Sequence, residues 1–302
     1  MARAPNLASL VGETVKPLAA PLLVTVDVEI AHDRDLDAQE AAISRIVSDL
    51  PDFPMTWFCT ADAAERFAGP LRALAGAGHA IGCHGLDHGD WEDYRRLPPE
   101  LVRRTLREAT DRIERALGVR PRTFRGPRMT TSATTHSALR HLGYHADFSM
   151  CSHRLDFVVA SCFDWRWAMT GARPYRPPME ETFQDSGPSC SAGLVVVPLS
   201  GLAVPLLSGS LFLLGERLML WLANVMSRRA ASIIAPLVYL FHSYEFVGLR
   251  GEAGHLPRHQ RWYPAEADKR YQVNLAFLKK LRGMGALPVN ADVYVEELSH
   301  AI

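Results

Sequence analysis

The chain has 302 residues, enough to bury one large core or two modest ones. Hydrophobic residues make up 48% of it and charged residues 22%, which is typical of soluble globular proteins. Its 33 basic residues balance its 33 acidic ones, so the composition disfavours a nucleic-acid partner.

Five cysteines, none of them in a CxxC pair, predict reduced thiols rather than a disulfide framework. The opening segment contains no uninterrupted apolar core of signal-peptide length. We therefore expect a cytoplasmic protein. Residues 1–20 are interpreted as a lead-in, and residues 21–302 as a single domain.

The first predicted strand, LLVTVDVE at residues 22–29, is an apolar run that ends in two carboxylates. Asp27 and Glu29 stand two positions apart, and residues i and i+2 of a strand point to the same side. Two acids at the end of a buried strand are unfavourable unless a cation compensates their charge. A strand end with two solvated acids explains this segment equally well on its own.

Apolar runs and helically spaced apolar residues alternate along the first half of the chain. Predicted strands cover residues 22–29, 55–60, 79–83, 122–124 and 144–148, and predicted helices cover residues 38–50, 62–74, 100–117 and 132–142. This alternation predicts an α/β fold with a largely parallel central sheet.

The second half continues the alternation after an interruption. Residues 150–193 are rich in aromatic residues, Pro and Gly, and we interpret them as long loops that cover or line a site. Further strands are predicted at residues 194–199, 237–241 and 286–290, and further helices at residues 217–229 and 265–282.

Residues 202–214 are apolar and uncharged but contain Pro205, Ser208, Gly209 and Ser210. The longer stretch 194–215 reaches the ~20 residues that span a bilayer. Its prolines favour a strand and loop over a spanning helix. Three interpretations stay open: buried core, a lid or apolar substrate channel, and contact with a membrane or lipid carrier.

Polar residues recur where the predicted strands end. His84 follows the third strand, His88 lies four residues later, Arg125 follows the fourth strand, and His242 ends a late one. The carboxyl ends of parallel strands gather on one face, where sites form. The His-x-x-x-His spacing lets two imidazoles share a metal, although with 12 histidines such a pair also arises by chance.

The ordered set VDVE, HGLDH, FRGP and YLFH resembles the polysaccharide deacetylase family of carbohydrate esterases, and TWF at residues 56–58 is similar to the second strand of that family. The resemblance covers residues 22–148 and resumes at 194–245. It implies a distorted (β/α) barrel of about seven strands, a single divalent metal, often zinc, and hydrolysis of an N-acetyl amide on a sugar.

The resemblance also implies roles for individual residues. Asp27 matches the catalytic base, Arg125 the arginine that holds this base, and His242 the general acid. His84 and His88 match the two metal histidines.

The remaining positions depart from the family pattern. The family's second acid directly follows the base, where this chain has Val28, so we assign the third metal ligand to Glu29, as in a branch with a D-x-E first motif. Arg128 replaces an aromatic residue, which makes an anionic substrate group plausible. Asp164 and Trp165 match a segment that orients the acid histidine. The candidate substrate contacts are Trp91, Arg128, Asp164 and Trp165.

The sequence therefore predicts a metal-dependent hydrolase that removes an N-acyl group from an amino sugar. The expected substrate is an intracellular glycan or a lipid-linked precursor at the inner face of the membrane. A small-molecule amidase of the ureide-hydrolysing type and a catalytically silent glycan-binding module are the alternatives. A metalloprotease is excluded, because HGLDH lacks the glutamate next to the first histidine.

Overall fold

The structure is a computed structural model that describes residues 20–155, 164–177, 193–230, 235–249 and 267–301. The predicted lead-in, apart from its last residue, lies outside these ranges. Much of the predicted loop region at 150–193 also lies outside them.

Ten strands occur in the described ranges. They are β1 (Pro21–Val28), β2 (Thr56–Cys59), β3 (Ala80–Cys83), β4 (Thr123–Phe124), β5 (Ala146–Asp147), β6 (Val195–Val196), β7 (Gly201–Leu202), β8 (Val204–Pro205), β9 (Leu237–His242) and β10 (Leu287–Pro288).

Eight of these strands form one parallel sheet in the described part of the chain. Seven lie side by side in the order β9-β1-β2-β3-β4-β5-β6, and β10 joins the beginning of β1. The sheet curls into a half-barrel, which confirms the predicted α/β barrel. The other two strands, β7 and β8, form a small antiparallel hairpin.

The edge strands β6 and β9 are linked through the segment between them. The Ser200 hydroxyl donates to the Pro236 carbonyl oxygen at 3.2 Å and accepts from the Val238 amide at 2.9 Å. The Leu240 amide donates to the Leu206 carbonyl oxygen at 3.2 Å. These bonds satisfy backbone groups that an open sheet edge would leave unpaired.

Helices cover the outside of the sheet. They are α1 (Leu36–Asp49), α2 (Ala61–Arg66), α3 (Ala68–Gly76), α4 (Pro99–Leu117), α5 (Ala133–His141), α6 (Arg166–Met169), α7 (Ser208–Leu214), α8 (Glu216–Ala230), α9 (Ala267–Gly283) and α10 (Ala291–Ala301), with 3₁₀ turns at Pro127–Met129 and Ser243–Phe246. Strand β1 is buried along nearly its whole length, as expected for a parallel strand covered on both faces.

Two predicted segments differ from the structure. The helix predicted at residues 62–74 is two helices, broken at Phe67, and Thr60 rather than Asp62 caps the first by accepting from the Ala63 amide at 3.1 Å. Residues 202–214, predicted as strand and loop, include helix α7 because its polar residues Ser208 and Ser210 are buried inside the fold. Helix α10 was not predicted. No helix in the described ranges is long and apolar enough to span a bilayer.

Candidate metal centre and active site

The predicted catalytic and metal residues lie at the carboxyl ends of neighbouring strands. Asp27 pairs in register with His242 across β1 and β9. Glu29 stands just past the end of β1, His84 follows β3, and Arg125 follows β4. Because the strands are parallel, these ends meet at one edge of the sheet.

Three of these side chains form a candidate metal centre. Glu29, His84 and His88 each offer a ligand atom within 4.8 Å of those of the other two. His88 Nδ1 lies 3.1 Å from Glu29 Oε2. His84 Nδ1 donates to the Arg125 carbonyl oxygen at 2.7 Å, which leaves Nε2 available as a ligand. Two imidazoles and a carboxylate are a donor set that fits a divalent metal with open coordination positions.

The protonation of this cluster also fits a metal. Burial lowers the pKa of His84 to about 4, so its imidazole is neutral at pH 7. Burial raises the pKa of Glu29, but the nearby imidazoles of His88, His242 and His84 outweigh burial and lower it overall. A neutral imidazole and an ionised carboxylate are the forms that bind a cation.

Asp27 is held by a fully buried arginine. Arg125 Nη1 donates to Asp27 Oδ1 at 2.7 Å, and Nη2 donates to Thr25 Oγ1 at 3.0 Å. Burial raises the pKa of Asp27, but the Arg125 guanidinium and the His84 and His242 imidazoles outweigh it and lower the pKa overall. The second oxygen, Oδ2, lies 3.7 Å from His84 Nε2. An ionised carboxylate beside the candidate metal centre can accept a proton.

His242 is paired with a carboxylate that sequence reasoning missed. Its Nδ1 donates to Glu245 Oε1 at 2.9 Å, and its backbone amide donates to the same oxygen at 3.1 Å. Burial lowers the pKa of His242, but the hydrogen bond and charge of Glu245 outweigh burial and raise the pKa to about 9. The imidazole is therefore protonated at pH 7 and, at 27% exposure, reachable by a ligand.

Glu245 is itself held in place by two further hydrogen-bond partners, Arg270 and Ser208. Its Oε2 accepts from Arg270 Nη1 at 3.2 Å, and its side chain is also hydrogen-bonded to Ser208 at the start of α7. Both Glu245 and Arg270 are buried. These contacts fix the carboxylate that orients His242.

A second missed carboxylate, Glu92, organises the loop that carries the two candidate metal histidines. It is fully buried, and it accepts the backbone amides of Leu86, Asp87 and His88 at 2.7, 3.1 and 3.0 Å. Gly85 has φ +84°, and a Cβ at this position would overlap Glu92 Oε1. The glycine therefore lets the loop close over the carboxylate.

Arg128, a predicted substrate contact, braces the same loop. Its guanidinium donates to the carbonyl oxygens of His88 at 3.3 Å and Gly89 at 2.7 Å. The backbone amide of His88 donates to Glu92, and its carbonyl oxygen accepts from Arg128. Held by these two bonds, His88 adopts a left-handed backbone conformation with φ 62°. Trp91 is 44% exposed, and its Nε1 donates to Asp87 Oδ2 at 3.1 Å.

The described hydrogen bonds of the Asp164 side chain are with Arg166 and do not include His242 or Glu245. Asp164 accepts from Arg166 Nε at 2.9 Å, and Trp165 is 62% exposed. The carboxylate that contacts His242 is Glu245, not Asp164. Roles for Arg128, Trp91, Asp164 and Trp165 in substrate binding stay predictions.

A buried polar network supports the loop that carries Arg125. Asp147 on β5 accepts from Thr131 Oγ1 at 2.7 Å and lies 2.8 Å from His136 Nε2. It also bonds the Ser149 hydroxyl, which accepts the Gly126 amide at 2.8 Å. The network therefore holds the backbone directly after Arg125.

Short sequence spacings point to the two missed carboxylates. Glu245 follows His242 by three residues, the spacing of a capping box, and both capping bonds are present. Glu92 follows His88 by four residues. Such spacings are common on protein surfaces, so burial is what distinguishes these two acids.

Comparisons with known proteins agree with the predicted resemblance. Residues 47–146 match the model of the polysaccharide deacetylase family, which confirms the resemblance at the level of the family. The D-x-E branch stays a prediction. No curated protein matches the chain.

Solved structures share the fold. A candidate polysaccharide deacetylase from Mycobacterium smegmatis superposes with a TM-score of 0.61 at 15% identity over 95% of this chain and 94% of its own. An allantoinase gives a TM-score of 0.57 at 16% identity over 98% and 97%. A pseudoenzyme of the CE4 family from Bacillus anthracis gives 0.50 at 12% identity over 93% and 66%.

Proposed function

We propose that this protein, whose residues 47–146 match the polysaccharide deacetylases, is a metal-dependent hydrolase that removes an N-acyl group from an amino sugar. One observation carries the proposal. An ionised carboxylate held by Arg125 and a protonated imidazole held by Glu245 both adjoin the three candidate metal ligands. Amide hydrolysis needs a base for the water and an acid for the departing amine.

The residues divide this work as follows. Glu29, His84 and His88 would hold a divalent metal, which supplies Lewis acidity when bound. Asp27 takes the proton of the attacking water, and Arg125 keeps it ionised and oriented. His242 gives its Nε2 proton to the leaving nitrogen, while Glu245 fixes the ring through Nδ1.

The finer substrate assignment is an N-acylated sugar in the cytoplasm, on a glycan or a lipid-linked precursor. Cys59, Cys83 and Cys151 are buried free thiols, which is consistent with a reducing compartment. The exposed Leu213 on α7, the helix whose Ser208 bonds Glu245, favours the lipid-linked form.

The alternatives predict different outcomes. A ureide-hydrolysing amidase would share the fold that an allantoinase also has. A silent glycan-binding module would share the fold of the CE4 pseudoenzyme. The presence of a base, an acid and three candidate ligands in one cluster supports an enzyme over a silent module.

The test measures bound metal and acetate release from a panel of N-acetylated sugars. His84→Ala is compared with the wild type, and His141→Ala, at an exposed helix position on α5, serves as the matched control. We expect one divalent metal per chain and acetate release, both lost in His84→Ala and kept in His141→Ala. Hydrolysis of allantoin alone would favour the amidase. Failure to bind any metal would refute the assigned centre.

A further inference from the structure

Helices α7 and α8 present an apolar surface. Leu213 is 50% exposed, Leu218 42% and Trp221 49%, within nine residues of the chain. Single exposed apolar residues are ordinary on protein surfaces, whereas three large ones within nine residues of the chain indicate an interaction surface. We call these three residues the apolar patch.

The opposite side of α8 is already packed. Met219, Leu222 and Ala223 are buried in the core. The helix therefore buries one face and leaves Leu218 and Trp221 on the other, as in an amphipathic helix. This orientation fixes the patch in place on the rigid fold.

The charges around the patch identify its partner. Arg217 and Arg228 are exposed and stand four residues before and seven residues after Trp221, on the same side of α8. Helix α7 contains no charged residue. The acid at the start of α8, Glu216, is paired with Lys280. A tryptophan and leucines flanked by arginines match the interface of an anionic lipid bilayer.

The patch also lies close to the candidate active site. Helix α7 begins at Ser208, whose side chain bonds Glu245, the partner of His242. Its seven residues end next to the patch. At 1.5 Å per residue, the helix spans about 10 Å.

We propose that Leu213, Leu218 and Trp221, with Arg217 and Arg228, form a docking surface for an anionic phospholipid membrane. Of these residues only Leu213 belongs to the stretch 202–214 predicted from the sequence, in which Leu206, Ser208, Ser210 and Leu211 are buried. Docking there places the candidate active site beside the lipid surface. The proposal stands on the exposed face alone, so the deacetylase assignment can fail without affecting it.

The test is co-sedimentation with vesicles of phosphatidylcholine, with and without phosphatidylglycerol. We expect binding to the anionic vesicles that weakens as salt increases. The double variant Leu218→Ser/Trp221→Ser should bind at least about tenfold more weakly. Arg217→Gln and Arg228→Gln should each weaken binding about fivefold and reduce its salt dependence.

Two controls match these variants. Leu287→Ser changes a leucine that is 63% exposed on β10, the strand that pairs with the beginning of β1. Arg103→Gln changes an exposed arginine on α4. Both should bind like the wild type, and all variants should keep the wild-type melting temperature.

Three outcomes overturn the proposal. The wild type fails to bind anionic vesicles, or Leu218→Ser/Trp221→Ser binds as well as the wild type. Alternatively, light scattering shows a dimer that Leu218→Ser/Trp221→Ser converts to a monomer, in which case a second copy of the chain covers the patch.

Discussion

Replacement of Glu245 by glutamine tests how the candidate general acid is set up. Glutamine keeps the shape of the side chain and an oxygen for His242 Nδ1, but it removes the negative charge. In the wild type this charge and its hydrogen bond hold the pKa of His242 at about 9 against the effect of burial. Without the charge, burial is opposed only by the charges of Glu29 and Asp27, and the pKa of His242 should fall towards its ordinary value of 6.5.

The sign and size of the effect follow from the role of His242. A general acid must be protonated, so activity falls as pH rises through its pKa. With a pKa near 9, most of the imidazole is protonated at pH 8, whereas with a pKa near 6.5 only about 3% is. Glu245→Gln should therefore lose up to about thirtyfold in kcat at pH 8 and about twofold or less at pH 6.

The assay is the pH profile of kcat for acetate release from an active N-acetylated sugar. The matched control is Glu40→Gln on α1, which removes a carboxylate that lies 2.8 Å from the guanidinium of Arg66. This variant should leave the pH profile unchanged. A bound metal acts on His242 in both proteins, so the difference between the profiles reports Glu245. An unshifted alkaline limb in a folded Glu245→Gln protein would refute the reasoning.

Three further predictions concern the base, the metal loop and its turn. Asp27→Asn should keep the metal but lower kcat about 10²–10⁴-fold, and near-normal turnover would exclude Asp27 as the base. Glu92→Gln should weaken metal affinity about 10–100-fold in chelator competition. Glu100→Gln, at an exposed position on α4, should not change the affinity. Equal affinities of the two variants would contradict the role of Glu92. Gly85→Ala should lower stability by about 1–3 kcal/mol in denaturant unfolding, because its Cβ overlaps Glu92 and its φ is positive. Gly76→Ala, with open space around it, should not lower stability, and a similar loss there would contradict this account.

The central sheet could be predicted because its strands are buried on both faces. Largely apolar runs such as residues 22–26 identify parallel strands, and helically spaced apolar residues identify the helices between them. Helix α7 was missed because Pro205, Ser208, Gly209 and Ser210 give its segment the composition of a loop. The hydroxyls of Ser208 and Ser210 are buried by parts of the chain that are distant in sequence. Asn274, for example, donates from its side-chain amide to the Ser208 hydroxyl at 3.0 Å.

Some residues of the candidate site could likewise be predicted from the sequence, and others could not. Side chains at strand ends, such as His84 and Arg125, could be placed together because parallel topology brings those ends to one edge. The supporting carboxylates Glu92 and Glu245 lie in loops, where a sequence pattern cannot tell a buried acid from a solvated one. Their function depends on burial, and burial is a property of the assembled fold.

The two acids of the first strand show how side-chain length separates two tasks. Asp27 and Glu29 point to the same side of β1, while Val28 between them is fully buried in the core. The shorter Asp27 stays within 2.7 Å of Arg125, deep in the sheet. The longer Glu29, past the end of the strand, reaches His88 at 3.1 Å. The proposed base must be kept ionised and close to its arginine, whereas the proposed metal ligand must meet imidazoles from another loop. An i, i+2 pair of aspartate and glutamate satisfies both requirements from one strand, and directly adjacent acids on a regular strand would point to opposite sides.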